Sequence, residues 1–135
     1  MPHTAAAGLK ILHYSIPRMV DATNASVVTL DCVYSYEPGD VKLVVRWFHN
    51  DSPEPIYQWI PEPDIRYIGE LIRPYFDMDF KVNDDRYSKY RALRLTHAGH
   101  LPVSLSGNFS CIISSIANQE SRQGQLVVYG KCAYT

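Results

Sequence analysis

The side chains able to do chemistry are few and poorly placed for it. Of five histidines, His3, His13, His49, His97 and His100, only His97 and His100 lie near each other, with no Cys or Glu at the spacing a zinc site needs. Oxygen ligands gather at Asp77, Asp79, Asn83, Asp84 and Asp85, but the central Gly and terminal Glu of a calcium loop are missing, so a charged turn is expected. No serine stands in Gly-x-Ser-x-Gly, and no glycine-rich stretch could cradle a phosphate. The expectation is no enzyme, no metal and no cofactor.

Two other groups of residues suggest surface chemistry. Arg86, Lys89, Arg91 and Arg94 fall within nine residues, with tyrosines between them, and could grip a sulfated glycan. Strand alternation would put Lys89 and Arg91 on one side and Arg94 on the other, and the acidic run just before could neutralise the cluster. Three sequons, Asn24-Ala-Ser, Asn50-Asp-Ser and Asn108-Phe-Ser, are candidate glycosylation sites, with Pro53 making the second a poor acceptor.

The elements that must position these residues are alternating apolar runs. Val28, Leu30, Cys32 and Tyr34 share one face of a strand, as do Leu43, Val45 and Trp47 of the next, and Phe109, Cys111 and Ile113 of a late one. Trp47 lies 15 positions after Cys32, and Cys111 lies 79 after it. With those markers pointing inward, Leu9 to Tyr129 resembles the variable-type domains of the immunoglobulin superfamily. The resemblance implies an all-β, two-sheet antiparallel Greek-key sandwich with extra edge strands. A bridge between Cys32 and Cys111 would close a loop of about 80 residues and stabilise the fold by roughly 4 to 5 kcal/mol through chain entropy. Trp47 would pack on its sulfurs. The alternative is two unrelated buried thiols in a cytosolic β protein.

Composition fits such a domain. The 135 residues carry a net charge of −1, with 46% apolar and 20% charged side chains, which argues against disorder and against nucleic-acid binding through bulk charge. No run of 18 apolar residues could span a membrane. Residues 1–8 are expected to be a flexible N-terminal segment, 9–130 the domain, and 131–135 a tail or linker. Lys10 interrupts the early apolar patch, so no signal peptide is assigned. An extracellular location, secreted or on the cell surface, then requires signal and membrane anchor to lie outside this segment. The odd Cys132 fits pairing beyond it, or a free tail thiol.

In chain order, strands are expected over Leu9 to Ile16, Met19 to Asp21 on the other sheet after Pro17, Asn24 to Tyr34, Val41 to His49 and Ile56 to Ile60. Arg66 to Ile72 and Phe76 to Val82 supply extra edge strands, and Tyr90 to Leu95 returns to the first sheet. Leu101 or Val103 tucks under the core before Gly107 to Ser115 and Gln123 to Tyr129 close the sandwich, with Leu126 and Val128 inward.

The strand around Arg46-Trp47-Phe48, the run Ile56-Tyr57-Gln58-Trp59-Ile60 and the stretch Leu105 to Cys111 are most similar to the membrane-distal domain of arthropod neuronal adhesion receptors of the beaten-path type. That implies an extracellular domain that binds another immunoglobulin-superfamily ectodomain without catalysis; the outward sheet face, taken by itself, could serve a homodimer as well. Two positions depart from the variable-type pattern: Phe109 replaces the usual Tyr, removing a corner hydroxyl, and Leu105 replaces an Asp, removing a carboxylate-arginine bridge. By parity, Val44, Arg46 and Phe48 face outward, as do Ile112, Val127 and Tyr129, and Tyr57 and Trp59 join them if the hairpin strand follows the usual variable-domain register; the alternative is a shift of one residue that turns Trp59 inward. This aromatic and aliphatic surface is the expected partner-binding face.

Overall fold

The computed structural model describes residues 8–23, 27–37, 39, 42–97 and 100–130. Asn24, His3, Cys132, most of the N-terminal segment and the tail lie outside them. The described residues form nine strands: β1 (Lys10–Ser15), β2 (Met19–Asp21), β3 (Val27–Ser35), β4 (Val44–His49), β5 (Tyr57–Ile60), β6 (Ile65–Ile68), β7 (Leu93–Thr96), β8 (Gly107–Ser114) and β9 (Gln119–Tyr129). They make a three-stranded sheet in the order β1-β3-β7 and a six-stranded sheet in the order β2-β9-β8-β4-β5-β6. The two-sheet all-β sandwich with extra edge strands is the expected architecture.

The sheet switch at Pro17 occurs as expected. β1 runs antiparallel to β3, and β2 then joins the other sheet alongside Val127 to Tyr129 of β9. Because the chain changes sheets without reversing, the β2–β9 pair is parallel, the one departure from an antiparallel sandwich among the described strands. Cys32 of β3 and Cys111 of β8 are joined by a disulfide across the sandwich, with Cα atoms 6.5 Å apart. Trp47 sits opposite Cys111 on the neighbouring strand, fully buried, and its indole N–H donates to the Arg91 carbonyl at 2.9 Å. Leu101, Leu105, Leu126 and Val128 are also buried, whereas Val103 is exposed.

One expected strand is absent. Phe76 to Val82 makes only an isolated bridge, Phe76 to Leu95. Asp77 turns the backbone back through its own side chain, which accepts from the Asp79 N–H at 3.0 Å, and Asn83 and Asp85 do the same for Asp85 and Tyr87. These short carboxylate and amide side chains offer local hydrogen bonds that compete with a ladder. The acidic cluster is therefore a set of turns. The stretch from Arg66 also ends early, at Ile68, because Gly69 begins a turn in which Arg73 N–H reaches the Gly69 carbonyl at 3.0 Å.

One of the two departures from the variable-type pattern is compensated. The Tyr14 hydroxyl of β1 donates to the Phe109 carbonyl at 2.6 Å, tying the position where the corner hydroxyl is missing, and burial pushes its pKa up to about 12. Asp31 and Arg91 form a bidentate ion pair at 2.8 and 3.1 Å, mostly shielded from water, while Leu105 simply fills core.

Candidate recognition surface

The six-stranded sheet has one face on the core and one outward. Its register decides which side chains reach each. Val45 stands opposite Trp59 and Trp47 opposite Tyr57, so these four share a face, and all are fully buried. Tyr57 and Trp59 therefore point into the core, against the expectation that they belong to the partner-binding face. The physical reason is visible in their polar ends. The Tyr57 hydroxyl donates to the Tyr90 carbonyl at 2.6 Å, and the Trp59 indole donates to the Asp64 carboxylate at 2.8 Å, so both rings can be buried without stranding a donor. The indole bond, aided by Lys89, holds the Asp64 carboxyl below the usual carboxylate range, and burial raises the Tyr57 hydroxyl.

The residues between them take the outward places. Gln58 stands opposite Arg46 and accepts from its guanidinium at 2.7 Å, and beyond it on β6 stands Tyr67. Ile60 and Ile65 form the next pair on the same face. Val44, Arg46, Phe48 and Ile112 lie outward as expected and are half-buried, while Val127 and Tyr129 are exposed on β9, with Met19 of β2 beside Val127. The face thus has exposed apolar groups at both edges, Ile65 and Tyr67 at one and Met19, Val127 and Tyr129 at the other. Arg46, Phe48 and Ile112 lie between. Three open depressions touch this sheet: about 510 Å³ beside Val44 and Ile60, about 500 Å³ beside Ser110 and Ile112, and about 560 Å³ beside Met19 and Val127. Ile60, Ile65, Tyr67 and Met19 were not singled out from the sequence. The polar Gln58 between two aromatics was the available signal, since alternation favours polar-out and aromatic-in.

The basic stretch does not form a free cationic surface. Arg86 pairs with Glu62 at 3.3 Å, Lys89 with Asp64 at 3.2 Å, Arg91 with Asp31 at 2.8 Å, and Arg94 approaches Asp77 at 3.7 Å. These contacts tie β7 and the loop before it to other parts of the fold. Arg66 helps, stacking 3.8 Å over the Tyr90 ring and donating to the Met78 carbonyl at 2.9 Å.

Two sequon asparagines meet at one end of the β4–β8 ladder. The Asn108 N–H donates to the Asn50 side-chain oxygen at 2.9 Å, and the Asn50 N–H donates to the Asn108 carbonyl at 2.7 Å. Gly107 permits this approach: its φ is 144°, and a Cβ there would lie 2.4 Å from the Asn50 side-chain oxygen. Asn50 is exposed, and Asn108 is half-buried with its amide on Gln123 at 3.1 Å.

No group of three or more His, Cys, Asp or Glu side chains among the described residues is arranged to hold a metal. The His100 Nδ1–H donates to the Ala22 carbonyl at 2.8 Å, and His97 packs on Tyr75.

No family model and no curated protein matches the chain. Solved structures do. The human B7-H4 IgV-like domain superposes with a TM-score of 0.61 at 11% identity, covering 91% of this chain and 96% of that one. The Dscam1 Ig7 domain, isoform 9, gives 0.58 at 20% identity over 90% and 100% of the two chains. This chain has an immunoglobulin fold of the variable type. A five-domain immunoglobulin fragment of Sidekick-1 also matches this immunoglobulin domain, with a TM-score of 0.51 at 14% identity, covering 91% of this chain and 20% of that fragment. No helix among the described residues is long and apolar enough to cross a membrane.

Proposed function

We propose that this immunoglobulin domain is an extracellular recognition module that binds another cell-surface protein through the outward face of its six-stranded sheet. The observation that carries the reading is that face itself: Ile65 and Tyr67 at one edge, Met19, Val127 and Tyr129 at the other, and Arg46 and Phe48 between. Exposed apolar groups gathered on one sheet face, with aromatics and an arginine, match the composition of interface centres. The cross-sheet disulfide supports an oxidising compartment. The resemblance to beaten-path-type receptors favours an immunoglobulin-superfamily ectodomain as the partner. Because the four cations of the Arg86 to Arg94 stretch are matched by carboxylates, nothing favours a sulfated glycan as the ligand.

The test is a multivalent binding screen of the secreted domain against cell-surface ectodomains, since avidity lifts detection of weak single-domain contacts by roughly a hundredfold or more. Phe48→Ala and Tyr67→Ala run in parallel. Loss of a protein hit in either variant, with melting unchanged, is the expected result. Hits that survive both substitutions would move the site off this face.

A further inference from the structure

β9 is 11 residues long, and among the described residues β2 covers only Val127 to Tyr129 of its outer edge. The pattern of bonding shows what the remainder offers. Val127 N–H takes the Arg18 carbonyl at 2.9 Å, and the Tyr129 carbonyl takes the Ala22 N–H at 2.7 Å, so odd-numbered positions direct their backbone groups away from β8. Gln119, Ser121, Gln123 and Gln125 therefore direct N–H and C=O groups to an edge that no described strand covers, and all four side chains are exposed. Such an edge is a template for another strand.

We propose that this edge pairs antiparallel with the same edge of a second copy of the chain, about a two-fold axis at Ser121. A two-fold contact must be self-complementary, and the side chains that flank Ser121 select that axis. Glu120 and Arg122 lie on the same side of the strand, and an axis at Ser121 sets each Glu120 opposite Arg122 of the second copy. It also sets Gln119 opposite Gln123, and Ser121 exchanges both backbone bonds with its equivalent. An axis at Gln123 would instead place Arg122 against Gly124 and Glu120 against Leu126. Within one copy the charges are only loosely engaged: Arg122 is 4.0 Å from Glu120 and folds back on the Ser121 carbonyl at 2.7 Å. One Glu120 oxygen accepts from the Ile11 N–H at 3.1 Å, which holds its side chain at this edge. The two six-stranded sheets would then run on into one, with the outward faces of both copies turned the same way. A strip this narrow gives a transient dimer. It goes beyond the proposed recognition surface, because it uses the strand edge and leaves that face free to bind in pairs.

The experiment is sedimentation velocity on the full chain carrying Cys132→Ser, so that no tail disulfide links two copies, at concentrations from about 10 μM to about 1 mM. Ser121→Pro deletes an edge N–H without touching the β8 ladder. Glu120→Arg and Arg122→Glu each create two like-charge pairs, and the double reversal restores both attractions. The expected result is concentration-dependent dimer, weakened about tenfold by each single reversal and by Ser121→Pro, and recovered to within about threefold in the double reversal. Melting curves accompany each variant; if Ser121→Pro does not fold, the charge reversals decide. Monomer at every concentration overturns the proposal, as does a double reversal that folds and fails to recover dimer. A dimer indifferent to all of these but lost in Phe48→Asp also overturns it, and assigns self-association to the sheet face.

Discussion

Trp59 separates a core role from a binding role. Its ring is fully buried, opposite Val45 and packed edge-on against Tyr90 with centroids 5.8 Å apart, and its N–H is held by Asp64. Trp59→Ala should therefore act as a large-to-small core substitution and cost about 3 to 5 kcal/mol. For a domain of this size that lowers the melting temperature by roughly 10 to 18 °C. Trp59→Phe keeps most of the apolar contact and removes the hydrogen bond, so it should cost about 1 kcal/mol, since Asp64 stays partly hydrated. The second variant also carries a pH signature. The bond holds the Asp64 carboxyl below its unfolded value. Its contribution is thus complete above the ordinary carboxylate range and is lost as pH falls through the lowered value. Thermal unfolding followed by far-ultraviolet circular dichroism, at pH 7 and at about pH 3, measures both effects. The gap between native protein and Trp59→Phe should narrow in acid. A Trp59→Ala protein that melts within about 2 °C of the native chain would refute the inward register.

Other outcomes follow from the same packing. Reducing the Cys32–Cys111 bridge, or replacing both cysteines by Ala, should lower stability by roughly 4 kcal/mol in denaturant titration, because the bridge closes a loop of 79 sequence positions. A double-mutant cycle on Asp31→Asn and Arg91→Met should return a coupling of about 2 kcal/mol, the size of a charge-assisted pair partly withdrawn from water, and additive effects would contradict the bidentate contact. On a heparin column the domain should elute at low salt, as its four clustered cations are matched by carboxylates. Retention to high salt that Lys89→Ala abolishes would restore the glycan reading.

What the sequence discloses about this fold, and what it hides, has a physical basis. Alternation around Cys32, Trp47 and Cys111 is enforced by a two-sided sheet with one dry face, so the inward residues of β3, β4 and β8 were legible directly. Pro17 marked the sheet switch because it cannot donate to a ladder. The Phe76 to Val82 strand was misjudged because apolar alternation there competes with Asp77, Asn83 and Asp85, whose side chains capture nearby N–H groups. The β5 register was misjudged because hairpin register depends on the loop from Asn50 to Pro55, where Ile56 N–H finds the Trp47 carbonyl at 2.8 Å. One residue of slip exchanges the two faces. Six of the eight expected face residues, on β4, β8 and β9, do lie outward, whereas Tyr57 and Trp59 are buried and Ile60, Ile65 and Tyr67 take the outward places on β5 and β6. The ion pairs of the basic stretch were hidden for a different reason: Asp31, Glu62 and Asp64 are far from it in sequence or on another strand.

The most direct measurement masks each sheet in turn with an engineered glycan and asks which mask blocks partner binding. Arg46→Asn with Phe48→Thr places a sequon on the outward face of the six-stranded sheet, and Val33→Asn, ahead of Ser35, places one on the three-stranded sheet. With both glycans confirmed by mass spectrometry and melting preserved, binding to the captured partner should be lost with the first and retained with the second. Retention with the first, or loss confined to the second, would contradict recognition through the six-stranded face.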